Sequence, residues 1–175
     1  MYINEILNTM NTELNRIMTC LDKLDEEQIW HKYKVNMNSV GNLCVHLAGN
    51  EHQHFISGIG KQPMIRQRTL EFTADKTFSK EELKKLLKYT REQSTAILNR
   101  LSEEDLRKAV RIEYSAEDWI AMKERDPADR SNGYERELQL VLFQVCEHYG
   151  YHTGQIVLLT KLLSGTDKSI TGYKH

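Results

Sequence analysis

Hydrophobic residues recur at helical spacing in four long stretches of this chain. From about Tyr2 to Leu24, the residues Ile6, Leu7, Met10, Leu14, Ile17, Met18, Leu21 and Leu24 lie one, three or four positions apart. That spacing puts them on one face of a helix, with polar residues opposite. A second helix is expected from about Ser39 to Ser57, with Asn38 or Ser39 able to accept from the free N–H groups of its first turn. Gly58 and Gly60 mark its far end, because glycine adopts a left-handed backbone without steric cost. A third opens at Ser79-Lys80-Glu81-Glu82, a hydroxyl followed three residues later by a carboxylate, which is the pattern of a capping box. Leu83, Leu86, Leu87, Ile97, Leu98 and Leu101 carry its apolar stripe to about Leu101. The fourth is expected to start near Asn132, capped there with Glu135 three residues on, and to reach about Leu163 before Ser164-Gly165.

Between the third and fourth helices the period changes. Val110, Ile112 and Tyr114 alternate with charged residues, which predicts a short strand or extended arm. Ser115-Ala116-Glu117-Asp118 can then open a helical turn around Trp119. Both prolines, Pro63 and Pro127, fall in connectors. The pattern predicts an all-α four-helix bundle forming one domain over residues 1–175. Connectors of roughly 20 to 30 residues exceed what simple antiparallel hairpins need, so they carry function or cross the bundle.

Composition narrows the partners. With 175 residues, 39% hydrophobic and 28% charged, the chain can bury one core. A net charge of −1 and no basic stripe weigh against nucleic acid. No apolar run approaches the ~20 residues of a membrane span. The start, Met1-Tyr2-Ile3-Asn4-Glu5, lacks the basic end and apolar stretch of a signal peptide. Cys20, Cys44 and Cys146 are too dispersed to read as a disulfide framework, so a cytoplasmic setting is expected.

Seven histidines change the picture further. His148 and His152 are four residues apart, one helical turn, and can share one metal ion at ~2.0–2.1 Å. Gly150 and Gly154 flank His152 inside the same helix, each costing about 1 kcal/mol relative to alanine. Close approach of a helix, a subunit or a ligand is expected to offset that cost. The best third ligand is His46, neighboured by Leu43, Leu47 and Asn50 on a face expected to look inward. Three imidazoles leave a coordination position open, the pattern of a catalytic rather than a structural site. His52 is turned about 240° from His46 and His54 stands about two turns along. These two, with His31 and His175, are expected at the surface. Cys44 and Cys146 each precede a candidate ligand by two residues, on the opposite side of the helix, and read as small buried hydrophobes.

Asn42-Leu43-Cys44-Val45-His46-Leu47 and His148-Tyr149-Gly150-Tyr151-His152-Thr153-Gly154-Gln155-Ile156 resemble the DinB/YfiT-like family of metal-dependent proteins, in helix order over nearly the whole chain. The resemblance implies a bundle of up-down-down-up topology and a divalent metal, nickel or zinc, on His46, His148 and His152. It also implies a homodimer as a frequent state. Some members transfer a low-molecular-weight thiol to electrophiles, so the resemblance implies a thiol transferase acting on a small molecule. Hydrolysis by an activated water, and a non-catalytic bundle around a structural metal, are the alternatives.

The segment Gly58 to Phe72 resembles one branch of the same family. Within it, the guanidinium forks of Arg66 and Arg68 suit a substrate carboxylate or phosphate, or acidic residues at the surface. Asn50 and Gln155, about one turn from a ligand, are candidates to hydrogen-bond the imidazoles. No proton acceptor is assignable, since Glu147 and Glu51 are each turned away from the neighbouring ligand.

Overall fold

The computed structural model of the protein describes residues 2–122, 126, 128–166, 168–170 and 172, so Pro127 and His175 lie outside the described residues. The chain runs through α1 (Tyr2–Asp22), α2 (Glu26–Trp30), α3 (Val40–Glu51), a π-helical continuation (His52–Ile59), α4 (Arg68–Thr73) and α5 (Lys80–Leu98). A 3-10 turn (Glu103–Arg107), β1 (Ala109–Glu113), α6 (Ala116–Ala121), β2 (Gly133–Glu137) and α7 (Leu138–Ser164) complete it. Capping boxes start three helices: Asp25 with Gln28, Ser39 with Asn42, and Ser79 with Glu82. Gly165, left-handed at φ 60°, stops α7. No helix among the described residues is long and apolar enough to cross a membrane.

The four long helices bury the stripes read from the sequence; Met10, Ile17, Leu21, Leu83, Leu87 and Leu98 are all in the core. α1 packs on α5 and α7, and α3 packs on the same two helices. The first two long helices, α1 and α3, therefore stand across the bundle from each other, which is why the connector between them is long. Arg91 of α5 ties the arrangement together. Its guanidinium donates to Glu51 of α3 (Nε–Oε1 2.7 Å, Nη2–Oε2 3.0 Å) and to Asn11 Oδ1 of α1 (3.0 Å), and lies 4.9 Å from the ring centroid of Tyr149 of α7. A buried pair of this kind adds little net stability, but any shift in helix register would leave a buried charge uncompensated.

Three expectations are corrected by the tertiary structure. The last helix begins at Leu138, not near Asn132. Residues 133–137 pair antiparallel with β1, Ile112 opposite Tyr134 and Val110 opposite Arg136. Asn132 enters that hairpin with φ 48° rather than capping a helix. The second stretch leaves α-helical geometry at His52, and the π-helical segment carries Gln53, His54, Phe55 and Ile56 as four consecutive buried residues. It can do so because β1 covers one side and α5 the other. His54 is therefore buried rather than at the surface, while His31 is exposed and His52 half-buried.

The glycines, too, behave otherwise than their positions predict. The left-handed residue after the π-helix is Lys61 at φ 56°, while Gly60 has φ −79°. Gly150 and Gly154 face outward, and among the described residues a Cβ added at either would meet nothing within 4 Å, so no contact with those residues offsets their cost.

Candidate metal centre

α3 and α7 cross where their histidines meet. One ligand nitrogen from each of His46, His148 and His152 lies within 4.8 Å of the others. His46 Nε2 and His148 Nε2 are 2.9 Å apart. That is slightly less than the ~3.3 Å edge of a tetrahedron with ~2.05 Å metal–nitrogen bonds, so a small outward movement of one ring fits an ion.

The outer nitrogens of His46 and His152 are occupied, which holds those two rings. His46 Nδ1 donates to Glu71 Oε2 at 2.8 Å, and His152 Nδ1 donates to Gln155 Oε1 at 2.7 Å. With these oxygens as acceptors the proton sits on Nδ1 and Nε2 keeps its lone pair, an arrangement suited to metal ligation, and Arg66 Nη2 also lies 3.1 Å from His46 Nδ1. Burial, the largest influence on all three, disfavours the imidazolium. It lowers the pKa of His46 and His152, and that of His148 falls to about 3 with help from its two histidine neighbours. The cluster is thus neutral at pH 7 and ready to bind a cation. The donor set and its hydrogen bonding fit a divalent metal.

Glu71 is the residue that linear reading missed. It sits on α4, 25 positions from His46, and no periodicity links the two. Arg66 holds it in a fork, Nε to Oε1 at 2.6 Å and Nη2 to Oε2 at 2.8 Å, while Arg66 Nη1 donates to Gln53 Oε1 at 2.6 Å. Arg66 and Glu71 are both buried. The carboxylate lies against the backbone of α3 at Gly49, where an added Cβ would stand 2.1 Å from Oε1. A glycine in mid-helix is needed there. α4 itself is anchored by Asp118 of α6, which accepts from the N–H groups of Arg68 (3.0 Å) and Thr69 (3.1 Å).

A cleft of about 520 Å³ opens beside the cluster, with His46 and His148 in its wall. Arg68 and Arg136 line it, as do the carboxylates of Glu135 and Glu147. Glu147 thus borders the cleft, while Glu51 is committed to Arg91. His54 borders it too, donating from Nδ1 to the Asn50 carbonyl (2.8 Å) and accepting at Nε2 from the Tyr134 hydroxyl (3.1 Å). Burial brings the pKa of His54 down to about 4.

The residues singled out in the sequence divide accordingly. His46, His148 and His152 come together, and Gln155 bonds His152. Asn50 makes no side-chain hydrogen bond to an imidazole among the described residues; its Oδ1 is buried without a partner in the cleft wall. Arg66 meets Glu71 and Gln53, and Arg68 packs 5.1 Å from the Phe72 ring centroid while bordering the cleft. Cys20, Cys44 and Cys146 are free thiols away from the cluster, the first two buried.

A sequence model of the DinB family matches residues 1–174. Among solved structures, a DinB-like protein from Bacillus cereus ATCC 10987 is similar, with TM-score 0.65 and 16% identity over 93% of this chain and 94% of that one. The conserved protein of locus from Enterococcus faecalis is similar as well, with TM-score 0.63 and 15% identity over 93% of this chain and 97% of that one. At such identities the likeness concerns the fold. No curated protein matches the chain.

Proposed function

The chain belongs to the DinB family, and we propose that it is a metal-dependent enzyme that transfers a low-molecular-weight thiol to an anionic small molecule. The observation that carries this reading is the pair of bonds from His46 Nδ1 to Glu71 and from His152 Nδ1 to Gln155, which orient two imidazoles toward the third. His46, His148 and His152 would hold the ion, nickel or zinc. When bound, such an ion would keep a thiol as its thiolate near neutral pH.

The remaining roles fall to side chains of the cleft. Arg68 and Arg136 supply positive charge for a substrate carboxylate or phosphate, whereas the fork of Arg66 is taken by Glu71. Asn50 Oδ1 offers an acceptor for a substrate N–H or O–H. Glu147 and Glu135 line the cleft, and one of them would take the thiol proton. A cytoplasmic setting would keep Cys20, Cys44 and Cys146 as thiols.

Metal analysis of untagged protein tests the first step: one equivalent is expected, lost when the three histidines are changed to alanine. Substoichiometric metal that the substitutions leave unchanged would sink the proposal. Titration of a cobalt-substituted form with small thiols tests the second. A sulfur-to-cobalt charge-transfer band is the expected result; a spectrum indifferent to thiols favours a hydrolase or a structural metal.

We also infer that the family's expected homodimer would form through the outward face of α7. Leu140, Phe143, Tyr151, Leu158 and Leu162 are each at least half exposed there, with Gly150 and Gly154 between them. The face is self-complementary about Tyr151. Two antiparallel copies would set Leu140 and Phe143 of one against Leu162 and Leu158 of the other, over a glycine-lined centre that permits close approach. The five side chains expose roughly 500 Å², a large part of the ~800 Å² per partner of a stable interface.

A further inference from the structure

A second pocket borders Glu71 but none of the three clustered imidazoles. It has a volume of about 620 Å³ and opens between α3, α4 and α5. That is the size of sites that take small organic molecules, ~300–1,000 Å³. Its walls are mostly apolar, from Val45, Ala48, Leu70, Ala74, Phe78 and Leu86. Leu70 is 57% exposed at its mouth, apolar surface that a ligand would remove from water.

The charges in its wall define what it can take. Arg66 and Glu71 border it, but they neutralise each other through two hydrogen bonds and present no free charge. The acidic Asp75 at the edge disfavours an anion. The cleft beside the histidines, with Arg68 and Arg136, has the opposite character.

We propose that this pocket binds an uncharged, largely apolar small molecule, and that its occupancy is coupled to the metal centre through Glu71. Glu71 lines the pocket and also holds His46 Nδ1 through Oε2. A ligand packed against the Arg66–Glu71 pair alters how firmly His46 is held. Linkage then requires that the metal alter the ligand's affinity by the same factor. The coupling rests on the three-histidine reading; the pocket itself does not.

Titration of the full-length protein with N-phenyl-1-naphthylamine, an uncharged dye that brightens in apolar surroundings, tests both parts. In chelator, saturable one-to-one binding is expected. Leu70→Glu, which puts a charge in the apolar mouth, and Thr73→Trp, which fills it, should each weaken binding by at least about tenfold. Both residues are exposed, so the fold is retained. Thr12→Glu, on the exposed side of α1 and outside the pocket wall, should have no effect. Non-saturable binding, indifference to both pocket substitutions, or loss in Thr12→Glu would overturn the pocket assignment.

With zinc present the dye affinity should shift by about fivefold or more, and Glu71→Gln should abolish the shift. A zinc-independent affinity in protein that binds zinc overturns the coupling. Failure of zinc to bind overturns the three-histidine reading and the coupling together, while the titration in chelator still decides the pocket.

Discussion

His46 Nδ1 donates to Glu71 Oε2 across 2.8 Å, joining α3 to the short helix in the connector that follows it. This one bond sets the tautomer of a candidate metal ligand, its ring orientation and the direction of its lone pair. Carboxylate partners of this kind raise ligand basicity, so changing Glu71 should be felt at the metal although Glu71 never touches it.

Glu71→Gln is expected to weaken zinc or nickel binding by about 10- to 100-fold. Competition against a chromophoric chelator measures the change. The substitution also leaves Arg66 buried without its counter-charge, a cost of about 3–5 kcal/mol if the side chain cannot relax. Affinity should therefore be read well below the melting transition. Unchanged metal affinity would remove Glu71 from the site.

Gly49→Ala tests the same contact from the other side. In most helix interiors the change gains about 1 kcal/mol. Here the new methyl carbon would lie 2.1 Å from Glu71 Oε1 and 3.0 Å from Arg66 Nε, so the pair must move. The expected outcome is a drop in metal affinity with no gain in melting temperature. A stabilised protein with full affinity would contradict the close packing of Glu71 on α3.

Phe143→Glu places a charge in the exposed apolar face of α7, where Phe143 is 62% exposed. Light scattering after size exclusion is expected to show a dimer for the wild type and a monomer for the variant. Helicity should be unchanged, because most of the side chain is exposed. A monomeric wild type at high concentration would refute the α7 interface.

Stability should fall with acid through His54. Its pKa is about 4 in the folded protein, against 6.5 unperturbed. Between these values the unfolded chain binds a proton that the folded chain does not, so stability rises with pH in that window. The contribution is complete above about pH 6.5 and is lost as pH falls toward 4, on the order of 3 kcal/mol in all. Urea unfolding in chelator at successive pH values measures the slope. His46, His148 and His152 titrate in the same direction, so the difference between wild type and His54→Gln isolates this residue.

Some of this was written in the linear pattern. Ser79 and Glu82 announced the start of α5, Ser39 that of α3, and the alternation of Val110 and Ile112 a strand, because caps and periods act over a few residues. The start of α7 was not legible. Residues 133–137 become a strand only through pairing with β1, whose residues lie 20 to 28 positions away. His54 was misplaced for a related reason: its helical turn is covered from both sides, by β1 and α5.

The helical class of the fold was legible in the linear pattern, as were His46, His148, His152 and Gln155, since a four-residue spacing in a helix relates His148 to His152 and places Gln155 about one turn from His152. Glu71 holding His46, and Arg66 spent on Glu71, came only from tertiary packing. Those relations cross between separate elements. They arise from how the crossover connectors fold back on the bundle, and local periodicity carries no record of that.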